Sequence, residues 1–526
     1  MASPSILFLF LSFLVLHAWA APVPRATNDR AVLAHFIVGN TYSYTSQDWN
    51  RDFTLASETG IDAFALNIAL DSWTNSQLDA AFAVAAGSST KICFSFDFAV
   101  APWTTDLVIS TLQRYSSQPG YFTYGGMGGG KSLVSTFDGP ARTNVDWVAV
   151  KAAVPNLYIV PHLSIDEVKS NPAGIDGALN WNAWATQNNL PIDGTSSTVD
   201  DHIMQDALGP SKSYATLISP WSFTNYNAYG VTKSWIFKSD DLLVTRWNQM
   251  LAFPTTEPGA HIDLVELYSW NDYGESNYQN DISQALPNEF SGGDDAWSKG
   301  FKHDGWRMLN VPFINAFKAH ETSVSASDID TELVVFYHRP YPANTMCSGQ
   351  SQPILGSAFV PDEVTIVSTL KSPVQLVVNS GGTSTNFNVD GGVQSNHVPM
   401  QLGSQSVTVT RNGVTCGQVT SSIQVTNSCS APNYNANVEY IVVQCSGDST
   451  SNSSSSSSST PNSSSSSTPS STSSTPGSTP STPGSPPSSP PSTPGSPPSS
   501  PPNTTTNLES TTSWDPTPQP GSEMVP

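Results

Sequence analysis

Two carboxylates, Asp272 and Glu275 in Leu267-Tyr-Ser-Trp-Asn-Asp-Tyr-Gly-Glu-Ser276, stand directly after the apolar run Ile262-Asp-Leu-Val-Glu-Leu-Tyr-Ser-Trp270. Such a pair can cleave an acetal: one carboxyl, protonated, assists the leaving oxygen, and the other, ionised, activates water or attacks carbon. Burial and neighbouring charge decide which one holds the proton. Gly274 is expected to supply the tight turn that lets both face one cleft. The competing reading is structural, a helix N-cap followed by a first-turn glutamate.

Something must hold the pair at a rim, and the run 262–270 reads as a barrel strand. Seven further apolar runs precede it. The eight end at His35 to Asn40, Leu66 to Asp71, Phe96-Asp97, Ser135 to Asp138, Pro161-His162, Asn180 to Trp184, Pro220-Trp221 and Trp270 to Asp272. Helix-patterned stretches lie between many of them, which predicts an α/β fold, a (β/α)8 TIM barrel with its active site at these strand ends. Leu78, Ala81, Phe82 and Ala85 share one helical face, as do Leu243, Trp247, Met250 and Leu251. Ser239 is expected to cap the second of these helices, and a last helical stretch from Trp297 to His320 is expected to close the barrel.

The same strand ends supply the candidate binding residues. Asp97 and Asp71 are further acids on the rim, able to hold a sugar hydroxyl or tune a catalytic pKa, with capping of the next helix as the alternative for Asp71. Asn67, His35, His162 and Asn271 are placed to hydrogen-bond substrate hydroxyls. Trp181, Trp184, Trp221, Tyr268 and Trp270 offer aromatic faces to pyranose rings, although with 14 tryptophans in the chain most must be packing residues. Asp62, at a strand start, reads as structural.

Other chemistries fit less well. Gly125-Gly-Met-Gly-Gly-Gly-Lys-Ser132 matches the phosphate-loop pattern, but a strand-like run rather than a helix follows it, so it reads as a glycine-rich loop entering the fourth strand. There is no Gly-x-Ser-x-Gly elbow and no His-x-x-x-His or paired-cysteine ligand motif, so no metal and no cofactor is expected. With 20 basic against 42 acidic residues and a net charge of -22, nucleic acid is excluded as a partner, and a neutral polysaccharide is the easier substrate.

Residues 1–20 read as a secretory signal peptide, an apolar block from Ile6 to Leu16 followed by Ala18-Trp19-Ala20. A short N-terminal segment, 21–28, leads into the expected barrel domain, 29–325. Short alternating strands then predict a β-sandwich over 330–446, including Glu363 to Leu370, Val374 to Asn379 and a hairpin at Asn412-Gly413. It reads as a packing domain, with glycan binding as the alternative. Four of the five cysteines (Cys347, Cys416, Cys429, Cys445) cluster here and can form two disulfides, whose pairing the sequence leaves open; Cys93 reads as a buried free thiol. Residues 447–526 read as a Ser/Thr/Pro-rich tail expected to be disordered and glycosylated, with sequons at Asn452, Asn462 and Asn503 and no recognisable lipid-anchor signal. No segment reads as a membrane span, and a monomer is expected.

The segments Ala34–Tyr42, Gly60–Asn67, Phe94–Asp97, Leu133–Phe137, Leu179–Trp184 and Trp270–Ser276, in this order, resemble the fungal α-1,3-glucanases, the mutanases of glycoside hydrolase family 71. The resemblance spans about residues 30–446. It implies a (β/α)8 barrel with a β-sandwich, secretion, and endo-hydrolysis of α-1,3-glucan in fungal cell walls. It also implies that the paired acids are Asp272 and Glu275, that the third acid is Asp97 or else Asp71, and that the anomeric configuration is inverted. The expected split of roles is Glu275 as acid and Asp272 as base. A hydrolase of another neutral glucan, and a non-catalytic wall-binding glycoprotein, stand as alternatives.

Overall fold

A computed structural model describes residues 30–138, 145–187, 190–226, 233–285, 289–290 and 293–445. The expected leader, the segment after it and the Ser/Thr/Pro-rich tail lie outside these residues. Among the described residues no helix is long and apolar enough to cross a membrane.

Eight parallel strands form most of one curled sheet: β1 (Ala31–Ile37), β2 (Ala63–Ile68), β3 (Lys91–Asp97), β4 (Lys131–Phe137), β5 (Leu157–Ile159), β6 (Gly177–Asn180), β7 (Ser213–Ile218) and β8 (Leu264–Leu267). The spatial order is β5-β4-β3-β2-β1-β8-β7-β6. Beyond β5 the chain meets β6, where Leu179 N donates to Pro161 O at 2.8 Å and Leu163 N donates to Leu179 O at 3.2 Å. A helix follows each strand in turn: α1 (Ser46–Thr59), α2 (Thr74–Ala85), α3 (Thr105–Tyr115), α4 (Trp147–Ala153), α5 (Ile165–Lys169), α6 (Val199–Leu208), α7 (Leu242–Ala252) and α8 (Asp304–Lys318).

Local chemistry accounts for these elements. Thr45 opens α1 with a capping box: its N donates to Asp48 Oδ2 at 2.9 Å while its hydroxyl accepts from Gln47 N. Such a cap contributes about 1 kcal/mol. Gly60 closes the helix at φ 87°, a conformation that costs glycine nothing. Trp49, Phe53 and Ala56 then share one buried face, and Trp49 stacks on Phe36 of β1 at 5.1 Å. Burying a ring such as that of Phe53 stabilises by roughly 1.5–3 kcal/mol.

Two expectations about helices are corrected. Ser239 does not cap α7: Asp241 occupies that position, and the Ser239 hydroxyl donates to Phe237 O instead. The stretch from Trp297 to His320 is not one helix. A helical turn, Asp295–Ser298, is separated from α8 by a break in which Gly300 takes φ 87°. The glycine-rich loop ends in β4, with Thr123–Tyr124 paired antiparallel to its start.

Two four-stranded antiparallel sheets follow. One has the order β13-β10-β9-β16 and the other β12-β11-β14-β15, from β9 (Leu333–His338), β10 (Glu363–Leu370), β11 (Val374–Ser380), β12 (Thr383–Val389), β13 (Gly392–Pro399), β14 (Gln405–Arg411), β15 (Val414–Thr420) and β16 (Asn437–Val442). They share an apolar core that includes Phe336, Ile366, Leu376 and Val409. Asn412 and Gly413 join β14 to β15 with φ 53° and 80°, as a type I′ turn requires. The disulfides are Cys347–Cys429 and Cys416–Cys445, and Cys93 is free and buried. The β9 sheet also packs on α8: a Cβ at Gly305 would come within 2.8 Å of Val438, so only glycine permits this approach.

Candidate active site

The register places the C-terminal ends of the strands at one level. Ile37 lies beside Asn67, Asn67 beside Ser95 and Asp97 beside Phe137 on one side, while Ala34 and Ile218 flank Leu267 on the other. The segment after Leu267 carries the acid pair and is fastened to the sheet along its length. Tyr268 N donates to Ile218 O at 2.9 Å, Trp270 N to His35 O at 2.7 Å, and Ile37 N to Asn271 Oδ1 at 2.8 Å. Ser269 Oγ accepts from Asp272 N at 2.8 Å and donates to Asn277 Oδ1 at 2.6 Å.

Asp272 Oδ1 accepts from Glu275 N at 3.0 Å, so the first acid orders the backbone of the second. The Tyr268 hydroxyl lies 3.1 Å from Asp272 Oδ2 and 3.4 Å from Glu275 Oε2. A phenol has one hydrogen to donate, so both contacts are satisfied only when one carboxyl carries a proton. Asn277 Nδ2 also donates to Glu275 Oε2, and Lys233 Nζ forms an ion pair with Glu275 Oε1.

Electrostatics separate the two acids. Burial, and then the charge of Glu275, push the Asp272 pKa up to about 6, with Lys233 opposing. Burial works against the Lys233 charge, but Glu275 and Asp272 outweigh it and hold its pKa above the ordinary lysine value. The arrangement favours a protonated Asp272 beside an ion-paired Glu275. This is the reverse of the role split expected from the sequence.

Gly274 lies in the expected tight turn, closed by Ser276 N donating to Tyr273 O at 3.3 Å, but the turn does not draw on its left-handed freedom. Its φ is not positive; the left-handed residue of the turn is Ser276, at φ 58°. A Cβ at Gly274 would overlap the Tyr226 hydroxyl, so the glycine makes room for that ring beside the acids.

A wall of rings continues from Tyr268. His35, Trp181 and Trp184 lie 5.3, 5.2 and 5.8 Å from it between centroids, and Trp181 also meets His162 at 5.2 Å and Phe137 at 4.8 Å. His35 Nδ1 shares a 2.7 Å hydrogen bond with Glu266 Oε1, both buried. Burial pushes the His162 pKa down to about 4, leaving a neutral ring near neutral pH, and the buried Trp184 Nε1 has no hydrogen-bond partner. Asp97 accepts from Ala99 N and Val100 N at 2.9 and 3.1 Å. Burial raises its pKa against hydrogen bonds that include one from Asn67.

The structure therefore brings together His35, Asn67, Asp97, His162, Trp181, Trp184, Tyr268, Asp272 and Glu275. Four candidates lie elsewhere. Trp270 is 1% exposed and packs at 4.9 Å on Phe64, and Trp221 donates to Tyr434 O and stacks on Trp306 near the β9 sheet. Asn271 spends its amide on Ile37, donating to its O at 3.0 Å and accepting from its N. Asp71 is exposed on the rim, and α2 is capped by Trp73 without a side-chain hydrogen bond.

Two residues of the group were not anticipated. Glu266 alternates with Leu264 and Tyr268, so its parity with the rim tyrosine was the available signal. Lys233 stands immediately before the second strand of a two-stranded ribbon, Phe223–Asn225 with Ser234–Ile236, whose three-residue strands are too short for a periodic pattern.

An acid and a base held beside aromatic rings, at the C-terminal ends of a parallel sheet, are suited to breaking a sugar acetal, and the chain is a glycoside hydrolase. It belongs to glycosyl hydrolase family 71, whose family model matches residues 28–453. The chain is 35% identical to a mutanase of Penicillium rubens over 86% of this chain and 97% of that protein. It is 33% identical to a glucan endo-1,3-alpha-glucosidase of Schizosaccharomyces pombe over 82% and 98%. Among solved structures, the GH99 endo-alpha-mannosidase of Bacteroides thetaiotaomicron is similar with a TM-score of 0.41 and 14% identity, over 56% of this chain and 98% of that one.

Proposed function

We propose that the chain is a secreted, endo-acting α-1,3-glucanase that hydrolyses the α-1,3-glucan of fungal cell walls. The observation that carries the reading is the Asp272–Tyr268–Glu275 cluster with Lys233 at its edge, set beside the rings of His35, Trp181 and Trp184. The family, and the names of the two relatives, support α-1,3-glucan as the substrate. We read the curled sheet, joined from β5 to β6 through Pro161 and Leu163, as a closed (β/α)8 barrel, and the two antiparallel sheets as a β-sandwich packed on it.

In this reading Asp272 is the general acid. Its proton passes to the glycosidic oxygen as the C1–O bond breaks. Glu275, in contact with Lys233, takes a proton from a water that attacks C1 from the opposite face, which inverts the anomeric centre. The Tyr268 hydroxyl touches both acids, so their nearest oxygens lie closer together in the free enzyme than the roughly 6.5–9.5 Å of inverting pairs, and inversion in this reading requires the two carboxyls to part as substrate and water enter.

Asp97 and His162 hold sugar hydroxyls, and Trp181 and Trp184 contact pyranose faces. The signal peptide exports the chain, and the Ser/Thr/Pro-rich tail carries glycans and acts as a stalk. The test is product analysis on insoluble α-1,3-glucan, with nuclear magnetic resonance during early turnover. β-Configured new reducing ends are expected; α-configured ends would replace inversion with retention, and no new ends would remove the activity itself.

A further inference from the structure

A second aromatic feature lies on the same rim, outside the group around Tyr268. Tyr42 is 62% exposed, and its ring meets that of half-buried Trp73 at 5.5 Å and 82°. Leu70 and Val100, 42% and 50% exposed, stand on the neighbouring strand-end loops. An isolated exposed leucine or valine needs no explanation, but a paired tyrosine and tryptophan on a strand-end rim is unusual enough to ask what it contacts.

The rings are held on a firm base. Gln77 Nε2 donates to Tyr42 O at 3.3 Å, and Gln77 Oε1 accepts from the buried Trp49 Nε1 at 2.9 Å. Trp73 sits at the start of α2, where its carbonyl accepts from Ser76 N and Gln77 N. With both backbones fixed and the rings set edge to face, little chain entropy is lost when something binds them.

The position is tied to the acid pair. Tyr42 follows Asn40, whose Nδ2 donates at 2.9 Å to the carbonyl of Asn271, the residue before Asp272. Trp73 follows the end of β2, where Asn67 bonds Asp97. A polymer cut within its length must extend away from the acids over the rim, and a net charge of -22 disfavours an anionic occupant.

We propose that Tyr42 and Trp73 form an outer subsite that stacks on pyranose faces of a neutral α-1,3-glucan chain several residues from the bond being cut. This rests on the glucanase reading above. The site governs grip on polymer and takes no part in the bond cleavage.

The test compares full-length wild type with Tyr42→Ala, Trp73→Ala and the double variant on two substrates: insoluble α-1,3-glucan, and the shortest α-1,3-linked oligosaccharide that wild type cleaves. The double variant is expected to need about tenfold more polymer for half-maximal rate. Its kcat and KM on the oligosaccharide should stay within about twofold of wild type, and Tyr42→Phe with Trp73→Phe should restore polymer affinity. Unchanged half-saturation on polymer, or an equal loss on both substrates, would overturn the subsite. An inactive wild type would instead remove the glucanase reading on which the subsite depends.

Discussion

Lys233 Nζ and Glu275 Oε1 form an ion pair whose side chains are 12% and 19% exposed, placing a cation beside one acid of the pair and close enough to the other to lower its pKa. The cation lowers the Asp272 pKa, so its loss raises that pKa above about 6. For Lys233→Met we expect kcat to fall about ten- to hundredfold and the alkaline limb of the pH–rate profile to move upward. A profile of unchanged shape at reduced height would show that Lys233 is only a support.

The wild-type profile itself follows from Asp272. A general acid works only while protonated, and burial with the Glu275 charge places its ionisation at about pH 6. Activity should therefore decline above about pH 6. Asp272→Asn should lose that limb together with about 10² to 10⁴ of kcat, read from initial rates across pH 3–8.

Much of this site was legible in the sequence, because strand ends in an alternating βα pattern are where rim residues must fall. His35, Asp97, Trp181, Tyr268 and the acid pair were all located that way. Trp270 misled because it adjoins Asn271 and Asp272 at the expected strand end, but β8 ends at Leu267, and beyond a strand's end the neighbouring residues no longer fix a side chain's direction. Trp221 misled because its partners, Trp306 and Tyr434, are distant in sequence. Lys233 was illegible for the same reason: nothing local ties the ribbon to Glu275. Among the antiparallel strands, Glu363–Leu370 and Val374–Ser380 fall where the sequence predicts them and Asn412-Gly413 forms its turn, whereas the other six strands were not read individually.

Behind the site, Arg246 and Asp201 form a fully buried pair, with Arg246 Nη1 donating to Asp201 Oδ2 at 2.9 Å, while the Tyr214 and Thr216 hydroxyls donate to Oδ1. Burial alone would raise the Asp201 pKa, but Arg246 overcomes it and holds the carboxyl below its ordinary range. Its contribution is thus present above about pH 4 and lost as pH falls through the lowered value. Arg246→Met leaves that carboxylate unpaired and should cost about 3–5 kcal/mol, measured by urea unfolding at neutral pH. A cost below about 1 kcal/mol would contradict the assignment.

The disulfides differ in the length of chain they close, 82 residues for Cys347–Cys429 and 29 for Cys416–Cys445. On the chain-entropy account, removing the first should cost roughly 1 kcal/mol more than removing the second. Paired Cys→Ser variants compared by thermal unfolding check the order, and the reverse order would assign the difference to native-state contacts.

We propose that Asp272 and Glu275 together hydrolyse α-1,3-glucan. The most direct test is release of reducing ends from insoluble α-1,3-glucan by wild type, Asp272→Asn and Glu275→Gln, with β-1,3-glucan and α-1,4-glucan as controls. Release by wild type from α-1,3-glucan alone, lowered at least about a hundredfold in both variants, is the expected result. Full activity in either variant, or wild-type release from a control glucan instead, would contradict it.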